Sequence, residues 1–63
     1  MIFKVEIETA NEAFGEGIFE TGAELAQILR LLASKLEIEG CDQYDTGILR
    51  DANGNRVGSY NHG

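Results

Sequence analysis

Few side chains in this chain could do chemistry. Cys41 and His62 are the only cysteine and the only histidine among 63 residues. A thiol beside an imidazole could serve as nucleophile and base. However, His62 lies in Asn61-His62-Gly63, which reads as a frayed tail, and nothing in the sequence orients it. Cys41 reads as a turn cysteine without a special role. One cysteine and one histidine cannot supply the ligands of a structural zinc site. A lone thiol also excludes an internal disulfide and fits a reducing compartment. Asp51, Asn53 and Asn55 have the one-three-five spacing of a calcium loop. The glycine required at the sixth position is Arg56 instead, and the bidentate glutamate required at the twelfth is His62. Gly15, Gly17 and Gly22 precede a helical pattern, but their spacing fits no nucleotide fingerprint. Glu16, Glu20 and Glu24 would repel phosphate there. No catalytic residue, cofactor site or metal site is assigned, and the chain is expected not to be an enzyme.

What remains is carboxylate. Eleven acids stand against five bases, for a net charge of −6. Glu8, Glu12, Glu16, Glu20 and Glu24 recur at every fourth position, preceded by Glu6. A second group, Glu37, Glu39, Asp42 and Asp45, contains no base. Such a surface repels nucleic acid and anionic membranes, and it attracts a basic protein surface and speeds encounter with it. The plainer reading of the same charge is solubility. The ten residues Glu6, Glu8, Glu12, Glu16, Glu20, Glu24, Glu37, Glu39, Asp42 and Asp45 are the candidate partner-binding set.

The elements must place these charges. Ile2–Thr9 alternates, with Phe3, Val5 and Ile7 on one face and Lys4, Glu6 and Glu8 on the other, as in a strand with one face buried. The fourfold glutamate spacing suggests a helix face, yet like charges at i,i+4 repel, and glycines 15, 17 and 22 each cost ~1 kcal/mol inside a helix. Residues 10–20 therefore read as a loop with one helical turn near Asn11–Phe14, anchored by Phe14, Ile18 and Phe19. A short strand over Ile18–Glu20 is an alternative. Thr21-Gly22-Ala23-Glu24 reads as a capping box. It opens a helix from about Ala23 to Glu37 or Ile38, with Leu25, Ile28, Leu29, Leu32 and Leu36 as its apolar stripe and Gly40 as its stop.

Near the C-terminus, Asn53-Gly54 signals a hairpin. A three-residue loop, Ala52-Asn53-Gly54, puts Asp51 at the first position of a type I turn and Gly54 at a left-handed bulge. It pairs Leu49 with Val57 and Asp51 with Asn55, and sets Arg50 against Arg56. The fold class is thus α+β: one domain over residues 1–63, ordered β-α-β-β. One helix lies on one face of a three-stranded, mostly antiparallel sheet. The other face, with Ile2, Ile48 and Tyr60 among polar residues, is left open. The composition, 43% hydrophobic and 25% charged, is that of a globular chain. The opening MIFKVEIE reads as no signal peptide, and no apolar run approaches the ~20 residues of a membrane span.

The stretches "FKVEIET", "ELAQILRLLASKLE" and "LRDANGNRVG" together resemble small acidic proteins encoded by phages and prophages, a class that includes anti-CRISPR proteins. These motifs cover most of the chain and are structural in kind. The resemblance implies a general role: binding a CRISPR-Cas effector in the cytoplasm of the host bacterial cell and blocking its nucleic-acid-binding surface by DNA-like charge. The expected partner is a basic protein surface and not nucleic acid or membrane, and the expected state is a monomer or weak homodimer. The alternative is a structural or adaptor protein that self-associates through the open sheet face.

Overall fold

The computed structural model describes residues 1–63. The chain runs through β1 (Phe3–Ile7), one 3-10 turn (Glu12–Phe14), α1 (Ile18–Glu39), β2 (Thr46–Arg50) and β3 (Arg56–His62). The strands form a single antiparallel sheet in the order β1-β3-β2. Ile28 and Leu32 of α1, Leu49 and Val57 and Tyr60 of the sheet, and Phe14 of the 3-10 turn make the buried core. The architecture is the expected α+β one, with α1 on one sheet face. No helix is long and apolar enough to cross a membrane.

The alternation of β1 is realised. Val5 lies opposite Tyr60 and Ile7 opposite Gly58, so Phe3, Val5 and Ile7 share the helix side with the buried Tyr60 ring, while Lys4 and Glu6 face away. Tyr60 therefore does not belong to the open face. That face keeps Ile2 and Ile48, both exposed, beside Lys4, Glu6, Ser59 and Asn61. Nor is the end of the chain frayed. His62 belongs to β3, and Gly63 exchanges backbone hydrogen bonds with Ile2.

The helix departs most from expectation at its start. It begins at Ile18, with Gly17 as N-cap. Residues 18–20 are thus helical and form no strand, and Thr21-Gly22-Ala23-Glu24 lies inside the helix and does not cap it. The Thr21 hydroxyl donates to the Phe14 carbonyl at 3.1 Å, which ties the first helical turns to the 3-10 turn. The burial of Phe14, 0% exposed, anchors that junction and offsets the cost of Gly22 within the helix. Ile18 and Phe19 anchor nothing; they are 83% and 86% exposed. The end is as read: Gly40 has φ +74° and donates its amide to the Leu36 carbonyl.

The apolar stripe is narrower than its spacing suggests. Ile28 and Leu32 are buried, and Leu25 and Leu36 pack partly against the core, but Leu29 is 46% exposed. The reason is where α1 sits. Ile28 and Leu32 pack with Leu49 and Tyr60, and Leu31 and Lys35 line a groove with Leu49, Arg50 and Tyr60, so the helix stands over β3 and β2. Edge strand β1 is left uncovered, with Phe3 and Val5 still 39% and 36% exposed.

The hairpin turn forms as read. Gly54 donates to the Asp51 carbonyl at 3.0 Å, Asp51 donates to the Asn55 carbonyl at 2.9 Å, and Gly54 has φ +83°. Arg50 does face Arg56. Beyond it, however, a bulge shifts the register, and Leu49 faces Gly58 instead of Val57. The extra residue lets Leu49 and Val57 both enter the core from neighbouring strands.

Candidate acidic binding surface

The first acidic group follows the chain from β1 into α1. Glu6 lies on the open sheet face, opposite Ser59. Glu8 follows β1; its amide donates to the Val57 carbonyl, and its carboxylate accepts the Ala10 amide at 3.1 Å. Glu12 opens the 3-10 turn, and Glu16 lies in the short link to α1; both are exposed. Glu20 occupies the first helical turn. Its carboxylate folds back so that a Cβ placed on Gly17 would stand 3.0 Å from its Oε1. There an anion complements the positive end of the helix dipole. Glu24 is different: it is half-buried, and its Oε2 accepts the Ala52 amide at 2.9 Å, joining the helix to the hairpin turn. Glu24 thus serves the fold and Glu20 favours the helix start, whereas Glu12 and Glu16 present their charge to water alone.

The second group surrounds the other end of α1. Glu37 and Glu39 are exposed in its last turn, which contains no basic residue. Asp42 and Asp45 occupy the following loop. The Asp45 carboxylate accepts the Asp42 amide at 2.7 Å, and the Asp42 carboxylate accepts the Gln43 amide at 2.9 Å. Lys35 lies nearby, its Nζ 5.6 Å from the Tyr60 ring centroid. Its pKa is held above the ordinary lysine value, first by hydrogen bonding to Tyr60 and then by charge, to which Glu39 and Asp45 add. This group is therefore partly countered by one cation.

Comparison of the chain with protein-family models, curated proteins and solved structures found no match.

The two groups are set apart by a helix of 22 residues, ~33 Å at ~1.5 Å per residue, in a molecule 36 × 19 × 19 Å across.

The other residues singled out in the sequence have structural duties. The Asp51 carboxylate turns inward, accepting the Asn53 and Asn55 amides at 2.9 Å each. Cys41 Sγ and His62 Nδ1 lie 4.0 and 3.1 Å from the same Asp42 carbonyl oxygen. Because a carbonyl only accepts, His62 donates from Nδ1. Cys41 and His62 thus meet a shared backbone oxygen and do not form a hydrogen-bonded dyad. Sequence reasoning missed the exposed apolar side chains Ile18, Phe19 and Ile38. Their signal was their position off the Ile28–Leu32 stripe.

Proposed function

We propose that this protein is a non-enzymatic acidic inhibitor of the phage-encoded, anti-CRISPR type. It acts in the host cytoplasm by occupying the basic nucleic-acid-binding surface of a CRISPR-Cas effector. The observation that carries this reading is the placing of Glu37 and Glu39. Both lie at the negative end of the helix dipole, where each carboxylate costs ~0.3–1 kcal/mol, and neither accepts a hydrogen bond from a basic side chain. With exposed Glu12, Glu16 and Glu20 at the opposite end, they form two acidic ends on a rod 36 Å long. Charges that the fold does not require are available to a partner.

The test is titration of a candidate effector with the parent chain and with the Glu12→Lys/Glu16→Lys/Glu20→Lys variant. Each reversal adds two charges, so the variant moves from −6 to 0. Binding should be lost through slower encounter and faster release, and parent binding should weaken steeply with salt. A folded variant that inhibits as well as the parent would reduce the acidic arc to a solubility device. The alternative, self-association through the open sheet face, loses one of its apolar residues there, because Tyr60 faces the helix.

A further inference from the structure

The chain buries less than its size calls for. Only 7 of its 63 residues are buried, and its accessible surface is 4610 Å², against ~4,000 Å² for a compact monomer of this mass. Its radius of gyration is 12.2 Å, against ~10.6 Å for a compact domain of this length.

The uncovered surface is spread over several elements, with Ile18, Phe19 and Ile38 of α1 the most exposed, and part of it lies along one sheet edge. β1 is an edge strand whose helix-side residues Phe3 and Val5 remain exposed. Leu29, also exposed, follows Ile28 on the flank of α1 away from Leu31, which meets the β2 side. It therefore leans over the β1 side of the sheet. Ile2 and Gly63 exchange hydrogen bonds, and Glu8 donates to Val57. By antiparallel alternation the even-numbered residues of β1 bond to β3. The amides and carbonyls of Phe3, Val5 and Ile7 then point out along the free edge.

We propose that β1 pairs with β1 of a second copy, antiparallel about a two-fold axis at Val5, to make a continuous six-stranded sheet. Charge selects this register. Centred on Val5, Lys4 faces the partner's Glu6 and Glu6 faces the partner's Lys4, giving two opposite-charge pairs on the open face. On the helix side Phe3 faces the partner's Ile7, and the two Val5 side chains meet. Centring on Lys4 sets lysine against lysine, and centring on Glu6 sets glutamate against glutamate, both unfavourable. The other edge strand, β2, carries one charged residue, Arg50, and offers no such pairing. A two-fold axis perpendicular to the sheet keeps both helices on one face. The gap above paired β1 strands is then closed by Phe3, Val5 and Leu29 from both copies. Glu6 is used in the pairing; Glu12, Glu16, Glu37 and Glu39 take no part in it.

The experiment is sedimentation equilibrium on the full chain up to about 1 mM, where a dimer of millimolar Kd is still populated. The parent should approach twice its 6.9 kDa mass. Lys4→Glu and Glu6→Lys should each weaken dimerisation by about tenfold or more, since each sets like charges opposite one another. The double variant Lys4→Glu/Glu6→Lys restores both pairs and should recover the parent's association. Val5→Pro removes an outward amide, a position that edge strands tolerate, together with the Val5 side chain at the dimer axis, and should abolish the dimer while circular dichroism stays native. A parent that remains at 6.9 kDa, a double variant that fails to recover, or a folded Val5→Pro chain that still dimerises would each overturn the proposal.

Discussion

The hairpin turn and the glutamate arc use the same functional group in opposite ways. At the turn, Asp51 is only 6% exposed, and its carboxylate is satisfied by the amides of Asn53 and Asn55, with Asn55 Nδ2 at 3.5 Å. In the arc, Glu12, Glu16 and Glu20 are exposed and accept none of the side-chain hydrogen bonds. A carboxylate can be buried where the backbone presents convergent donors; elsewhere it stays in water and its charge acts at a distance. Glu24 is intermediate, half-buried and held by one amide. The acidity of this chain is therefore two populations, one that holds the fold and one that stays in water.

Substitutions can break that division. Asp51→Ala leaves the Asn53 and Asn55 amides without their acceptor and should cost about 2–3 kcal/mol. For a domain this small that is a fall in Tm of roughly 10–20 °C. Asp51→Asn, which keeps one acceptor, should lose less. A melting curve for Asp51→Ala that matches the parent's would show that the turn does not need its carboxylate. Next comes Glu24→Ala, expected to cost about 1 kcal/mol through the lost bond to Ala52. Hydrogen exchange should report it first at the Ala52 amide.

The remaining changes should act with the opposite sign or hardly at all. Glu37→Lys/Glu39→Lys replaces anions with cations at the helix C-terminus. It should stabilise the fold by about 0.5–1 kcal/mol in urea titration while weakening partner binding. A loss of stability would place these residues in the fold-holding population. Glu12→Gln/Glu16→Gln, the smallest perturbation, should leave stability within about 0.5 kcal/mol of the parent, with any effect confined to binding and fading as salt rises.

What could be read in advance was mostly local. The alternation of Phe3, Val5 and Ile7, the Asp51-to-Gly54 turn and the Gly40 stop each depend on residues close in sequence, and each was legible. What failed depended on distant partners. Tyr60 changed faces because the bulge at Val57 shifts the alternation of β3 by one residue, and Leu29 is left half exposed because α1 stands over β3 and β2; short-range periodicity carries neither. The start of α1 was misread because glycine propensity outweighed the tether from Thr21 to Phe14, a tertiary contact. The Leu49 register slipped at a bulge that serves core filling on both strands. Of the candidate site, the exposure of most acids followed from their charge. The duty of Glu24 did not, since Ala52 lies 28 residues away.

The strand order has a consequence for how the molecule comes into being. β1 is synthesised first, yet its only neighbour is β3, the last strand made. Until β3 leaves the ribosome, β1 has nothing to pair with, and the apolar side of α1 has no sheet beneath it. The hairpin is a short-range closure and can form quickly, whereas docking β1 closes a loop of some fifty residues and comes late. The nascent chain must therefore pass through an interval with its β1 edge open. The charges on Lys4, Glu6 and Glu8 are well placed to keep that edge from pairing indiscriminately with other chains.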